Sequence, residues 1–222
     1  MHDDLLHEQL NYYRARAAEY DESLQSVGDP GAAESAEARE WQQAVRALRG
    51  LGPQGRVLEL AGGTGIWTQE LARIAGELTV LDGAPEMLAR NRAKLGDARI
   101  TYQTANLFAW EPTERYDLVF FAFWLSRVPP ERLDAFLDNV ERAVAPGGRV
   151  FVVDEPAGGS EVSGPNAAGM YQQRTLRDGR AFSIVKVYYD PTEIGRQLEQ
   201  RGFAPSAIGG GAHFFHLSSQ RR

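Results

Sequence analysis

Apolar residues recur along the chain with two periods, and each change of period marks a boundary between elements. Leu, Tyr and Ala fall at helical spacing through residues 5–25, Tyr12, Tyr13 and Tyr20 among them. A break follows at "SVGDPGAAES" (26–35), and a second helical pattern over 34–50 stops at Gly50. From there the pattern alternates. "GRVLELA" predicts a buried strand and "TQELARIAG" a helix; "ELTVLDG" predicts a strand and "APEMLARNRAKLG" a helix. "ARITYQTAN" and "YDLVFFAFW" predict two more strands, "PPERLDAFLDNVERAVA" a strongly periodic helix, and "GRVFVVDE" a fifth strand. "PTEIGRQLEQRG" predicts a helix begun by Pro191 and ended by Gly202, and "FAPSAIGGGAHFFHLSSQ" an antiparallel hairpin around Gly209–Gly211.

Short β-rich runs alternating with amphipathic helices build βαβ units and a parallel sheet. The segment 156–190 is long for a connection, which is the usual length of a functional lid. Within it "RAFSIVKVYY" alternates well enough for an extra strand, with "RDG" as the turn before it. The expected organisation is a helical cap over 1–50 and an α/β domain over 51–222 carrying a lid insertion near 156–190.

Composition narrows the class. Of 222 residues, 43% are hydrophobic and 24% charged, as in ordinary globular domains. No apolar run approaches the about 18 residues of a membrane span, and "MHDDLLHEQL" lacks the basic start of a secretion signal, so a cytoplasmic location is expected. The absence of cysteine excludes disulfides, thiolate metal sites and thiol nucleophiles. A net charge of −6 argues against phosphate-contact binding of nucleic acid. The four histidines show no metal-ligand spacing with carboxylates, so no metal site is expected. Of 24 basic residues only Lys94 and Lys186 are lysines.

The stretch "VLELAGGTGIWTQEL" carries the chemistry. Three glycines within four residues, between a strand and a helix, expose bare backbone where a ligand can approach closely. A dinucleotide fingerprint fails in both registers, because Thr68 or Thr64 stands where a small residue is required, and a phosphate-binding P-loop fails for want of Gly-Lys-Ser/Thr. What fits is an acid followed by small residues at alternate sites: Glu59, Ala61, Gly63, Gly65.

Here the chain resembles the class I S-adenosylmethionine-dependent methyltransferases, whose first motif is D/E-x-G-x-G-x-G, with Ala61 in place of the first glycine. "LDGAPEML" resembles the family's second motif, and "ERAVAPGGRVFVVDE" its last helix, Pro-Gly-Gly turn and fifth strand. "YYRARAAEYDE" resembles the helix that caps the cofactor in small-molecule members. The resemblance implies a Rossmann-like, doubly wound seven-stranded sheet of order 3-2-1-4-5-7-6, its last strand antiparallel, with an N-terminal helical cap. It implies S-adenosylmethionine as cofactor, held by Tyr20, Glu59, Ala61, Gly63, Gly65, Asp82, Gly83, Met87, Asn106, Leu107 and Phe121. Asp82 then binds the ribose hydroxyls, Met87, Leu107 and Phe108 lie on adenine, and Asn106 accepts from its amino group.

In such a fold the acceptor lies above the ends of the fourth and fifth strands. Tyr12, Tyr13, Trp124 and Arg127 are the candidate acceptor contacts, and Arg127 suggests an acidic or phenolic molecule. If the final hairpin lies beside the fifth strand, its tip brings His213 to that edge as a candidate base, with Glu155 as rival. The resulting expectation is methyl transfer to an O, N or C nucleophile of a small molecule by in-line displacement. A cofactor-binding protein without catalysis, a nucleic-acid methyltransferase and a nicotinamide dehydrogenase are the alternatives. The absence of an Asn-Pro-Pro-aromatic quartet after the fourth strand, together with the charge, disfavours the nucleic-acid reading.

Overall fold

A computed structural model describes residues 2–24, 35–156 and 170–222. The break at 26–34 and the middle of the lid segment, 157–169, lie outside the described residues. The helices are α1 (His2–Arg16), α2 (Ala36–Arg49), α3 (Thr68–Leu71), α4 (Pro85–Leu95), α5 (Pro130–Ala143) and α6 (Pro191–Gln200), with short 3₁₀ turns at Tyr20–Leu24 and Leu125–Arg127. The strands are β1 (Gln54–Leu60), β2 (Ala75–Asp82), β3 (Ile100–Thr104), β4 (Tyr116–Ala122), β5 (Val144–Asp154), β6 (Tyr171–Thr175), β7 (Ala181–Val185), β8 (Ala207–Gly210) and β9 (Phe215–Gln220).

Seven strands form one sheet of order β3-β2-β1-β4-β5-β9-β8. The first five are parallel, and β9 runs antiparallel to β5, pairing Phe215 with Asp154 and Gln220 with Arg149. This is the expected order, β8 and β9 being the sixth and seventh strands of the sheet.

Period-2 alternation explains why both faces are buried. Leu58, Leu60, Val119, Phe121, Val150 and Val152 project to one side, against Leu133, Phe136, Leu137 and Val140 of α5 and Ile194 and Leu198 of α6. Their neighbours Val57, Leu118, Phe120, Phe151 and Val153 project to the other, against Val45 and Leu48 of α2 and Leu88 of α4. A sheet covered on both faces needs near-continuous apolar strands, and these are such strands. Helix ends follow local chemistry. Ser35 accepts from Ala38 N (3.0 Å) to start α2, Asp190 accepts from Thr192 N (2.8 Å) to start α6, and left-handed Gly96 (φ 54°) closes α4.

Two elements differ from expectation. The helix expected over "TQELARIAG" ends at Leu71, because Ala75 already pairs with Gln54 in the sheet. The lid segment carries a strand that the sequence does not announce: β6, "YQQRT", pairs antiparallel with β7 as a separate hairpin turned at Gly179 (φ 88°).

That hairpin and α1 form the roof over the carboxyl ends of β1, β2 and β4. Buried Tyr12 packs on Phe182, Leu176 and Ile184. Glu8 accepts from Ser183 N (2.6 Å) and Gln9 from Val185 N (2.9 Å), so side chains of α1 satisfy the free edge of β7. Gln9 also donates to Arg127 O (3.2 Å), tying the roof to the end of β4. Among the described residues no helix is long and apolar enough to cross a membrane.

Candidate active site

The chain leaves β1 at Leu60 and turns through Ala61 (φ 56°), Gly63 (φ 53°) and Gly65 (φ 97°) before α3. Ala61 is one of two non-glycine residues at positive φ among the described residues; the other is Phe123 (φ 54°), just past β4. Both line the same cavity, so strained backbone clusters there. The first glycine of the motif is thus replaced by a residue that tolerates its conformation poorly. Ala61→Gly is expected to raise stability by up to about 1 kcal/mol, read as the urea midpoint; a lower midpoint would contradict the strain argument.

A Cβ added at Gly63 would meet only Ala61 O, 4.0 Å away, so bare main chain faces open space. That space is a cavity of about 400 Å³ between the strand ends and the roof. Asp82, at the end of β2, lines it. One carboxylate oxygen accepts from Gly63 N (2.9 Å) and the other from Ala84 N (2.7 Å), so the group is fixed in orientation. Burial raises its pKa to about 6, against the lowering effect of those N–H groups. Met87, Leu107 and Phe108 supply an apolar wall nearby, and Gly83 lets Leu10 of α1 close in from above. Asn106 also lines the cavity, but its Oδ1 is already engaged by Phe108 N (3.0 Å), as in a local turn.

A smaller crevice adjoins, lined by Glu59, Thr64, Trp41 and Trp67 and sharing Tyr20, Ala61 and Gly63 with the larger space. Glu59 is buried, and desolvation raises its pKa to about 8 although Thr68 Oγ1 donates to it at 2.6 Å. Behind Thr68 a chain of bonds continues. Asn91 Nδ2 donates to Thr68 Oγ1 (2.7 Å), and Tyr102 OH donates to Asn91 Oδ1 (3.0 Å). This buried relay braces the glycine turn from beneath, linking β1, α3, α4 and β3.

Tyr13, Trp124, Arg127 and Arg132 also line the cavity, with Arg16 and Gln9 from the roof; Tyr13 packs toward Met87, and Trp124 lies on Phe108 at 5.0 Å. Trp124 Nε1 and Arg127 Nε are buried without a hydrogen-bond partner. Arg127 Nη1 donates to Val185 O (3.1 Å), and nearby anionic groups keep its pKa raised despite burial.

Of the expected cofactor residues, Tyr20, Ala61, Gly63, Asp82, Gly83, Met87, Asn106 and Leu107 line the cavity, and Glu59 lines the crevice. Gly65 lies beneath, with Asn91 where its side chain would be. Phe121 does not reach the site: strand parity turns it into the core, edge-on to Phe136 at 5.2 Å. Of the acceptor contacts, Tyr13, Trp124 and Arg127 line the cavity, whereas Tyr12 faces the lid hairpin.

Neither base candidate lines the cavity. The hairpin tip does rise beside β5, but Glu40 of α2 gathers it, accepting from Ala212 N (3.1 Å), His213 N (2.8 Å) and Phe214 N (2.8 Å). Glu155 is ion-paired with buried Lys186. Sequence reasoning missed Leu6, His7, Gln9, Leu10, Arg16 and Arg132, which arrive through the docking of α1 and α5. The resemblance of "YYRARAAEYDE" to a cofactor-capping helix anticipated the place of α1 but not these contacts.

S-adenosylmethionine fits these residues. Exposed main chain at Gly63 and the acidic crevice suit its zwitterionic end, a fixed carboxylate suits a ribose diol, and the Met87–Leu107–Phe108 wall suits adenine. The comparisons agree. The methyltransferase domain family matches residues 57–148. The ubiquinone/menaquinone biosynthesis C-methyltransferase UbiE of Shewanella pealeana is 34% identical over 124 residues, 52% of this chain and 49% of that protein. The chain thus spans about half the length of the curated relatives it matches. The DhpI–SAH complex is 36% identical, with a TM-score of 0.82 over 98% of this chain and 97% of that one. The DhpI–SAM–HEP complex is likewise 36% identical, with a TM-score of 0.81 over 98% of each. Sequence motif, sheet order, cavity chemistry and full-length similarity converge: the chain belongs to the class I S-adenosylmethionine-dependent methyltransferases.

Proposed function

We propose that the protein transfers the methyl group of S-adenosylmethionine (SAM) to a small molecule seated beneath α1, beside Trp124 and Arg127. The observation that carries this reading is the continuity of one cavity from Asp82 and Gly63 to Trp124 and Arg127, roofed by α1. The DhpI–SAM–HEP complex holds a second molecule along with the cofactor, as that arrangement requires.

When bound, the cofactor supplies an electrophilic methyl on a sulfonium that departs as a neutral thioether. The protein's part is to bind, align and exclude water. Asp82 holds the ribose hydroxyls, and its two main-chain donors stop it rotating away. Met87, Leu107 and Phe108 cover adenine. Glu59 and the main chain around Gly63 serve the amino-acid end. Tyr13 and Tyr20 line the cavity, and a ring face turned to the sulfonium contributes about 0.5–2 kcal/mol as a cation–π contact; Arg16 covers one face of Tyr20 at 4.9 Å. The roof, stitched to β7 by Glu8 and Gln9, keeps water from the reacting atoms.

Incubation with methyl-labelled SAM and a panel of phenols, quinones, amines and acids tests the reading. Labelled product with equimolar S-adenosylhomocysteine (SAH) is expected. Labelled protein, or release of SAH without a labelled small molecule, contradicts it.

The two raised carboxyl groups set a pH dependence. In the ligand-free protein both stay protonated above the ordinary carboxylate range, Asp82 to about 6 and Glu59 to about 8. The folded state therefore binds more protons than the unfolded one through this window, and its stability falls as pH rises. A cationic ligand favours the ionised forms, so SAM affinity is expected to increase from pH 6 to pH 8, with protons released on binding. Calorimetry in buffers of different ionisation enthalpy measures both. An affinity that falls with pH across that interval contradicts the assignment of these acids to the cofactor.

A further inference from the structure

Positive side chains outnumber negative ones in the cavity's lining, where His7 is the one histidine among the described residues. Arg16, Arg127 and Arg132 line the space, whereas Asp82 is its one lining carboxylate among the described residues. Asp82 stands at the adenosine end, pinned by Gly63 N and Ala84 N.

Arg127 is the central group. Its backbone is fixed by Gln9 and its Nη1 by Val185 O, while Nε is buried with no partner. The acids nearest to it are committed elsewhere: Glu155 to Lys186, and buried Asp154 to the N–H groups of Ser126 (3.0 Å) and Glu155 (2.8 Å). Among the described residues no carboxylate is ion-paired to Arg127. The buried Nε is left with a donor unused, and an anion arriving in the cavity would accept from it. The planar fork of the guanidinium matches a carboxylate or phosphoryl oxygen pair.

Resting on the small-molecule reading above, the geometry points to an acceptor that carries a carboxylate or phosphoryl oxyanion held by Arg127, with an oxygen of that same anion as the methylated atom. Such an oxygen is already ionised near neutrality, so no general base is needed. That agrees with the positions of His213 and Glu155 outside the cavity, and it leaves the lining His7 with no proton to take. One anion oxygen stays on Arg127 while another attacks. A C–O bond forms to the methyl carbon, the S–CH₃ bond breaks and its electron pair returns to sulfur. The acceptor loses one negative charge, the sulfonium becomes a neutral thioether, and no proton moves. The product is a methyl ester.

The test pairs binding with product chemistry. SAH-loaded protein is titrated calorimetrically with carboxylates and phosphonates, and with alcohols, phenols and amines of matched carbon skeleton. The same compounds are then offered with SAM, and products are identified by mass spectrometry and methyl NMR. Anionic members are expected to bind and yield O-methyl esters. Arg127→Gln should weaken their binding by about 10- to 150-fold, the loss of one charge-assisted contact, with SAH affinity changed by less than about 2-fold. Arg127→Lys should recover part of the loss through its charge. Anion binding insensitive to Arg127→Gln, or methylation confined to neutral phenols, amines or carbon acids, overturns the anionic acceptor and leaves small-molecule transfer standing. Normal SAM and SAH binding with no methylated product from any compound overturns the small-molecule reading, and this proposal with it.

Discussion

Asp82→Ala is expected to weaken SAH binding by at least about 100-fold, read by calorimetry against the parent protein. A buried carboxylate that accepts two ribose hydroxyls makes two charge-assisted bonds, each worth about 1.5–3 kcal/mol. Their joint loss is about 3–6 kcal/mol, roughly two to four decades in affinity. The substitution also removes the acceptor that Gly63 N and Ala84 N share, so the glycine turn loses its anchor to β2. Asp82→Asn separates the two effects. It keeps the shape and one oxygen acceptor but loses the charge, and a loss about midway between parent and Asp82→Ala is expected. An Asp82→Ala protein that binds SAH as tightly as its parent removes the ribose assignment.

Gly65→Ala is expected to cost about 2–5 kcal/mol of stability and to weaken cofactor binding in parallel. Two costs combine. At φ 97° any side chain is strained, worth about 1–2 kcal/mol. The added Cβ would also lie 2.7 Å from Asn91 Oδ1 and 2.8 Å from its Cγ. Asn91 has no room to retreat: it is 0% exposed and bonded to both Thr68 and Tyr102. The relay that supports Glu59 must therefore break or the glycine turn must move, an overpacking cost of about 1–3 kcal/mol. Gly52 is the control. It also has positive φ (71°), but nothing lies within 4 Å of its added Cβ, so Gly52→Ala should show the strain cost alone. Urea unfolding of the two variants reads the difference. Equal costs would show that Asn91 is not packed as described.

Much of this was legible in the chain because the sheet is buried on both faces. Such strands carry unbroken apolar runs, and the turns between them carry the glycines and acids of the cofactor site. Glu59, Gly63 and Asp82 were readable for that reason: each sits where a strand ends. Parity within a strand was harder. Phe121 belongs to an apolar run in which neither face is polar, so the run does not say which residues point along the sheet toward the site. The same holds for Tyr12 and Tyr13, adjacent on one helix and so about 100° apart; only docking decides that Tyr13 meets the cavity and Tyr12 the hairpin.

The roof was the least readable part. Gln9 becomes a site residue through contacts across more than a hundred positions of chain, with Arg127 and Val185. His213 shows the converse. Topology brought it to the correct edge, but Glu40, from a helix distant in sequence, fixed the main chain around it and left it outside the cavity.

Hydrogen exchange with and without SAH tests most directly whether the cofactor lies between the glycine turn, Asp82 and the roof. The bound protein is expected to gain protection at 61–65, 82–87 and 106–108 and along α1, with β8 and β9 unchanged. Saturating SAH that leaves the amides of 61–65 and 82–87 exchanging as in the free protein would place the ligand elsewhere and contradict the account.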